Sequence, residues 1–379
     1  MIEQKLKDVF IAADNVYSPI GKTTAENFIN LKNNVSGVKR HKHGAMSAHP
    51  FYAALFGDDE ELAPNGNYTK FERLLIVSIG DAIKLADLDV QSDNTLLIIS
   101  TTKGNISLLE TEKYSENLKN RIALTTSAQL VANHFGFKQK PIVVSNACIS
   151  GVLGIITAMR LLRSGLYENA VIAGADVISR FILSGFQSFQ ALSQGVCRPF
   201  DKLHDGLNLG EGAGTVILST NKKYAGNLKI KGGSLSNDAN HISGPSRTGG
   251  ELACAIDRSM TNAGINAADI DFISAHGTGT VYNDEMEANA MNIAGLADVP
   301  LNSLKGYYGH TLGAAGLIET IISVESLRQR IFLGTPGFEN AGESHRLNVS
   351  AEHRDLSAQN FLKTASGFGG CNAALVIGK

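Results

Sequence analysis

The stretch Ser145-Asn-Ala-Cys-Ile-Ser-Gly-Val-Leu-Gly154 joins an apolar run at Ile142–Val144 to an apolar segment over Gly151–Arg163. The first run has the composition of a strand, and the second segment has the periodicity of a helix. The stretch therefore predicts a strand-to-helix junction with Cys148 at its turn. Other strand-like runs alternate with helix-like segments along the chain, at Leu96–Ile99, Ala170–Ala173 and Thr215–Leu218. This alternation predicts an α/β protein.

A second stretch, Gly309-His-Thr-Leu-Gly-Ala-Ala-Gly316, repeats the spacing of the first. In both stretches a reactive side chain, Cys148 or His310, is followed by glycine three and six residues later. The parallel extends to the strand-like runs Asp93–Ser100 and Ile270–Ala275 and to the Gly-rich turns that feed the runs ending at Leu218 and Val376. Such internal self-similarity predicts two related α/β halves, residues 1–222 and 223–379, that pack together.

Composition restricts the classes of function that this chain is expected to have, but it does not identify one. The chain of 379 residues is 43% hydrophobic and 18% charged, as in ordinary globular proteins, and its net charge is −2. That charge favours neither nucleic acid nor an anionic membrane as a partner, although a local basic patch would still accept an acidic carrier protein. The charged start Met1–Asp8 lacks a signal peptide's apolar run, and no stretch approaches the roughly 18 apolar residues of a membrane span. We therefore expect a cytoplasmic protein.

Metal and nucleotide sites are not predicted. The four cysteines are scattered without a C-x-x-C pair, which favours neither a disulfide framework nor a zinc site. His41, His43 and His49 lack a carboxylate or cysteine at a recognised ligand spacing, so a surface loop is the preferred interpretation. The glycines between Gly206 and Gly214 do not form the G-x-G-x-x-G that leads from a strand into a helix, and NAD is not expected.

Cys148 is the candidate nucleophile. A helix N-terminus carries partial positive charge and free N–H groups, which favour a thiolate. The alternative is that Cys148 only packs in the core, since free cysteine is among the most buried residue types. Position alone does not decide between these two interpretations.

The remaining candidates lie where strands end or where glycine allows close approach. His276 and His310 both lie in Gly-rich turns after strand-like runs, so they are expected to meet Cys148 at the ligand-binding edge of the sheets. Lys305 precedes His310 by five residues, and Glu319 on the following helix is its candidate partner; a solvated lysine is the alternative. The turn Gly367-Phe-Gly-Gly370 is able to place a backbone N–H against a developing oxyanion.

Taken together, these motifs resemble the β-ketoacyl synthases of the thiolase-like superfamily over nearly the whole chain. Five motifs stand in the family's order: Ala147-Cys-Ile-Ser-Gly-Val152, Arg198–Gly206 with Gly210–Gly214, Ala275-His-Gly-Thr-Gly-Thr280, Lys305–Gly316, and Gly367-Phe-Gly-Gly370. The resemblance implies a five-layered α/β/α/β/α fold of two duplicated halves, usually dimeric. It also implies a decarboxylative Claisen condensation between an acyl thioester and malonyl-carrier.

The resemblance further assigns roles to individual residues. Cys148 would carry the acyl group, and the N–H groups of Cys148 and Phe368 would form the oxyanion hole. His276 and His310 would act on the malonyl group, with electrostatic support from Lys305 and Glu319. Thr278, Thr280, Phe368 and Gly369 would contact the substrate, which is delivered on the phosphopantetheine arm of an acyl carrier protein. No permanently bound cofactor or metal is implied.

Several positions depart from the fatty-acid synthase pattern: Asn146, His204, Ser366 and Cys371 stand where threonine, arginine, phenylalanine and threonine are usual. None removes a catalytic group, so the departures put the acyl substrate in question more than the reaction. Fatty-acid, polyketide and aryl-polyene biosynthesis stay open, as do a homodimer and a heterodimer with a chain-length-factor-like subunit. A thiolase-type acyl-CoA acyltransferase is the nearest enzyme alternative, and a non-catalytic chain-length-factor-like subunit is disfavoured by the presence of Cys148.

Overall fold

The computed structural model describes residues 6–42, 44, 46–57, 62, 66–239, 244–341 and 347–379. The strands in this part of the chain are β1 Phe10–Tyr17, β2 Val38–His41, β3 Phe51–Ala54, β4 Thr95–Ser100, β5 Ile142–Val144, β6 Asn169–Asp176, β7 Leu209–Gly210, β8 Gly212–Ser219, β9 Lys229–Asn237, β10 Phe272–Ser274, β11 Leu301–Asn302, β12 Ile331–Phe332, β13 Arg354–Asp355, β14 Asn360–Gly367 and β15 Cys371–Gly378. The α-helices are α1 Thr24–Lys32, α2 Lys70–Ala86, α3 Leu108–Thr111, α4 Glu116–Ile122, α5 Leu124–Phe135, α6 Ser150–Arg163, α7 Arg180–Ser188, α8 Gly250–Ala263, α9 Val281–Ile293, α10 Lys305–Tyr308 and α11 Ala315–Gln329.

The main sheet consists of two five-stranded units with the same topology. One unit has the strand order β5-β4-β6-β8-β1, and the other has the order β11-β10-β14-β15-β9. In each unit the first three strands are parallel and the last two are antiparallel to their neighbours. The units join where β1 meets β9 through the pair Phe10 and Lys229. The duplication expected from the glycine spacing is therefore present in the strand pairing.

Helices complete a five-layered arrangement. Helices α2 and α5 cover the outer face of the first unit, and α8 and α9 cover that of the second. Helices α6 and α11 lie between the two units and contact both of them. Separate apolar cores fill the three helical layers, and Ile155 and Leu317 belong to the central one. The predicted α/β/α/β/α fold is confirmed.

The central layer shows why glycine recurs in both halves. A Cβ at Gly151 would lie 2.7 Å from the backbone N of Leu317, and a Cβ at Gly316 would lie 2.6 Å from Val152. Both distances are shorter than real Cβ contacts. The paired glycines therefore let α6 and α11 approach each other at the point where Cys148 and His310 enter the structure.

The ends of the predicted elements agree with those observed to within about three residues. The runs at Leu96–Ile99, Ala170–Ala173 and Thr215–Leu218 lie in β4, β6 and β8, and Ile142–Val144 is β5. The division at residues 222 and 223 stays a prediction. Within the described residues, no helix combines the length and apolar composition that crossing a membrane requires.

Candidate active site

Cys148 lies on a sharp turn between β5 and α6. Ala147 has φ 44°, in the left-handed region that residues with a side chain rarely adopt. Ser150 stabilises the turn, because its hydroxyl donates to Ala147 O at 2.7 Å and accepts from Asn146 N–H at 2.8 Å. A Cβ at Gly367 would lie 2.9 Å from Cys148 N, so only glycine allows the β14–β15 turn to approach the nucleophile this closely.

Two acidic side chains of α9 hold the turn that presents His276. Glu287 accepts from His276 N–H at 2.8 Å and from Gly277 N–H at 2.7 Å. Asp284 accepts from Thr278 N–H at 3.0 Å. Because these acceptors are buried, they fix the backbone of the turn independently of any ligand.

His310 reaches the same place from the other side. Its backbone N–H donates to Asn208 O at 2.6 Å, next to the Leu209–Gly210 strand. The His276 and His310 rings meet edge to face, with centroids 5.3 Å apart and an interplanar angle of 80°. Among the described residues, His310 Nδ1 has no hydrogen-bond partner. The two histidines thus form the close pair that the sequence predicted.

Lys305 connects His276 to Glu319 in a fully buried network. Its Nζ donates to Glu319 Oε1 at 2.7 Å and to the backbone carbonyl of His276, and it lies 3.3 Å from His276 Nδ1. An ammonium group has donors only, so Nδ1 is the acceptor and the proton of a neutral His276 is assigned to Nε2. The alternative of a solvated lysine is wrong, since the Lys305 side chain is 0% exposed.

A cavity of about 920 Å³ brings most of the predicted residues together. Its lining includes Cys148, His276, His310, Thr278, Thr280 and Phe368. The Phe368 ring contacts the rings of Phe186 and Phe189, with centroids 5.9 and 5.6 Å away. The residues that line the cavity do not include Gly369, which is exposed at the turn, nor Lys305 and Glu319, which lie behind the histidines.

The acid–base state of the site differs from the sequence expectation at Cys148. Burial raises the pKa of this thiol to about 12, an effect that Cys371 increases and Lys305 opposes. A thiolate at the helix start was expected, but Cys148 lies two residues before Ser150, the first residue of α6, and the protein atoms around this partly exposed side chain disfavour the anion by desolvation. Burial, Lys305 and Lys363 hold the pKa values of both histidines well below their usual range. The resting site therefore combines a neutral thiol with neutral imidazoles.

The sequence did not single out three buried residues that organise the site. Lys363 lies behind His276 and contacts Glu319, and Glu287 holds the His276 turn. Asp176 accepts from Thr101, Thr102, Lys103 and Gly313, which joins the loops of the two halves. The position of Asp176 at the end of a predicted strand was a usable signal, whereas a lysine within a strand pattern suggests an exposed side chain.

The positions that depart from the fatty-acid synthase pattern lie at or near this site. Cys371 Sγ is 3.7 Å from Asn146 O and is directly behind the nucleophile turn, and Ser366 lines the cavity. His204 forms an ion pair with Asp284 at 3.2 Å, and that hydrogen bond raises the pKa of His204. Of the three other histidines considered, His41 lies in β2 rather than in a loop, and His43 lies outside the described residues.

Comparison with known proteins identifies the family of this chain. Residues 6–223 match the β-ketoacyl synthase N-terminal domain, and residues 228–339 match the β-ketoacyl synthase C-terminal domain. The chain is 28% identical to 3-oxoacyl-[acyl-carrier-protein] synthase 2 of Vibrio cholerae serotype O1, over 97% of this chain and 98% of that protein.

Solved structures share the fold at lower identity. The ishigamide ketosynthase/chain length factor superposes with a TM-score of 0.88 and 24% identity over 99% of both chains. The ketosynthase ApeO in complex with its chain length factor ApeC from Xenorhabdus doucetiae superposes with a TM-score of 0.86 and 24% identity, over 98% of both chains. Since the N-terminal domain match alone spans more than half of the sequence, the chain belongs to the β-ketoacyl synthase family.

Proposed function

We propose that this β-ketoacyl synthase carries its acyl group on Cys148 and uses His276 and His310 to condense that group with a malonyl thioester. The observation that supports the assignment is the convergence of one thiol and two neutral imidazoles on a single cavity. The thiolase-type alternative is not favoured, because its Cys/His/Cys site would need a second cysteine in place of one histidine. Cys371 lies behind the nucleophile turn, and it is not among the residues that line the cavity.

In the first half of the reaction, Cys148 attacks the carbonyl carbon of an acyl thioester on the carrier. Because the thiol is neutral at rest, its proton has to leave during the attack, and one imidazole of the His276–His310 pair is the proposed acceptor, which passes the proton on to the departing carrier thiol. The carbonyl oxygen becomes an oxyanion, for which the backbone N–H groups of Cys148 and Phe368 are the proposed donors. The carrier then leaves as a free thiol, and an S-acyl cysteine remains.

In the second half, a malonyl thioester loses CO₂ and becomes an enolate. The assigned Nε2–H of His276 would donate to the enolate oxygen, and His310 would share this task. The enolate carbon attacks the acyl carbonyl, the bond to Cys148 sulfur breaks, and the released thiolate takes up a proton from water. Thr278 and Thr280, whose hydroxyls are 2.8 Å apart beside the cavity, are the proposed contacts of the phosphopantetheine arm.

The test uses intact-mass spectrometry and CO₂ release. Wild-type protein incubated with a panel of acyl-carriers is expected to gain one acyl group, and Cys148→Ala is expected to gain none. Addition of malonyl-carrier should then release CO₂ and the β-ketoacyl-carrier. An acyl adduct that persisted on the Ala variant would refute the nucleophile assignment, and consumption of acetyl-CoA without malonyl-carrier would refute the reaction.

An assembly with a second subunit is the second part of the proposal. In the described part of the sheet, β11 at one end is covered by a bridge from Leu301 to Val349, whereas β5 at the other end leaves Ile142 and Val143 half-buried. Such an edge strand is a site for pairing with another chain. Either a second copy of this chain or a chain-length-factor-like subunit would be able to pair with this edge strand. Size-exclusion of the protein expressed alone and with its genomic neighbours distinguishes the two.

Three pathways are proposed for this enzyme: fatty-acid, polyketide or aryl-polyene biosynthesis. Acyl-carrier panels that vary chain length and unsaturation separate these pathways by the adduct that forms fastest. The acyl carrier protein as donor is supported by the name of the Vibrio relative. The cytoplasmic location expected from the sequence stays a prediction, which fractionation of the native host would test.

A further inference from the structure

Lys363 is a buried lysine in β14 that no step of the proposed reaction uses directly. Its side chain is 0% exposed, and its Nζ lies 2.6 Å from Glu319 Oε2. The same Nζ donates to the carbonyls of Ser274 at 3.2 Å and Ala275 at 3.0 Å. These two carbonyls form the end of β10, directly before His276, so Lys363 contacts the segment that presents a catalytic imidazole.

The network is divided between two lysines in a regular way. Lys363 holds the carbonyls of Ser274 and Ala275, and Lys305 holds the carbonyl of His276. Both ammonium groups also contact Glu319, one at each carboxylate oxygen. Through the two lysines, three consecutive backbone carbonyls are linked to the Glu319 side chain of α11, the helix that follows His310.

The charges of this cluster do not balance. One carboxylate, that of Glu319, faces the amino groups of Lys305 and Lys363 at 2.7 and 2.6 Å; burial lowers the pKa of Lys363, and Glu319 opposes that shift. Glu287 is the other carboxylate near Lys363, and burial raises its pKa, which weakens it as a counter-charge. An excess of positive charge beside two imidazoles opposes their protonation.

We propose that Lys363 is a positioning residue of the condensation site, which fixes the strand end that presents His276 and keeps the His276–His310 pair neutral. The proposal rests on the condensation chemistry proposed above. The charged and titratable groups around the two rings are Lys305 from α10, Glu319 from α11, Lys363 from β14, Glu287 from α9 and the Cys148 thiol before α6. Lys363→Met removes a positive charge from this set, so both histidines should become easier to protonate.

The experiment compares Lys363→Met with Lys231→Met as a matched control. Lys231 lies on β9, which β15 separates from β14, and it donates to the Asn360 side chain at 2.8 Å, at the far end of β14. Histidine titrations followed by NMR on isotope-labelled protein are expected to move upward by about one pH unit in Lys363→Met. The acidic limb of the pH profile for CO₂ release should move in the same direction and by a similar amount, and Lys231→Met should leave both unchanged.

The two readouts separate this proposal from the proposed function. If wild-type protein released no CO₂, the reaction would be wrong, whereas the NMR titration would still test the effect of Lys363. Histidine midpoints in a folded Lys363→Met equal to those in Lys231→Met would overturn the proposal. If Lys363→Met did not fold, Lys363→Gln would be titrated in its place. Failure of both variants to fold would make Lys363 a residue of the fold alone, which also overturns the proposal.

Discussion

The buried triad of Lys305, Glu319 and Lys363 makes a sharp prediction about stability. Glu319→Gln leaves two ammonium groups, each 0% exposed, without their shared carboxylate. Removing one partner of a buried ion pair destabilises a protein by about 3–5 kcal/mol, because the other charge is left uncompensated. We expect a loss in this range for Glu319→Gln.

Lys363→Met removes a positive charge instead of the shared negative one. It leaves the Lys305–Glu319 pair at 2.7 Å intact and removes an ammonium group whose burial carries a desolvation penalty. The free energy of unfolding should therefore change by no more than about 1–2 kcal/mol. The double variant Glu319→Gln/Lys363→Met should be more stable than Glu319→Gln alone by at least about 1 kcal/mol, since only one unpaired ammonium remains.

Urea unfolding followed by circular dichroism measures these differences, with Glu325→Gln as the control. Glu325 lies on the same helix and contacts Arg328 at 3.3 Å, and Arg328 keeps a second partner in Asp14 at 2.6 Å. The control should lose no more than about 1 kcal/mol, because the Arg328 side chain is 36% exposed and keeps its pair with Asp14. If Lys363→Met were as destabilising as Glu319→Gln, or the double variant were less stable than Glu319→Gln, the idea that uncompensated ammonium groups cause the destabilisation would be refuted.

Three further predictions follow from the geometry of the nucleophile turn. The pKa of the Cys148 thiol is raised from 9.0 to about 12, so its alkylation by iodoacetamide at pH 8 should be about a thousandfold slower than that of a free cysteine. The alkylation rate should rise tenfold per pH unit up to pH 10. A plateau of the rate near pH 9 would contradict this prediction. A Cβ at Gly367 would lie 2.9 Å from Cys148 N, so Gly367→Ala should slow acylation by about a hundredfold in the intact-mass assay, whereas Gly185→Ala, which meets nothing within 4 Å, should not. Asp176→Asn presents an amide donor to the N–H of Gly313 and should lower the free energy of unfolding in urea by about 1–3 kcal/mol; an unchanged midpoint would exclude that role.

The sequence predicts this fold well because the repeat is local in origin. Glycine at the same spacing after Cys148 and His310 permits two helices to approach each other. The glycine spacing can be recognised in the sequence without knowledge of which segments come into contact. The convergence of His276 with these residues was also expected from the sequence, although His310 follows the short helix α10 rather than the strand that its Gly-rich turn suggested. Lys305 and Glu319 were proposed as partners from their distances along the chain to His310, and they pair at 2.7 Å.

Burial and charge balance were beyond the reach of the sequence. The thiolate expected for Cys148 depends on the helix start, whereas its raised pKa depends on protein atoms brought in from the β14–β15 turn and elsewhere. Lys363 occupies a position in a strand pattern where a lysine is usually solvated, and its buried partners are Glu319 from a distant helix and the carbonyls at the end of β10. Both properties arise from contacts between segments that are remote in the chain.

The excess of positive charge behind the histidines suits a reaction that begins with one anion and passes through another. A malonyl carboxylate enters the cavity as an anion, and the enolate that replaces it carries the same charge on a nearby oxygen. In the proposed mechanism, the fixed charges of Lys305 and Lys363 would stabilise both species without any change in protonation. The neutral imidazoles would then donate N–H groups to the enolate, and one of them would accept the proton of Cys148 in the other half-reaction. On this proposal, a buried lysine pair with one carboxylate keeps the histidines neutral between the two half-reactions.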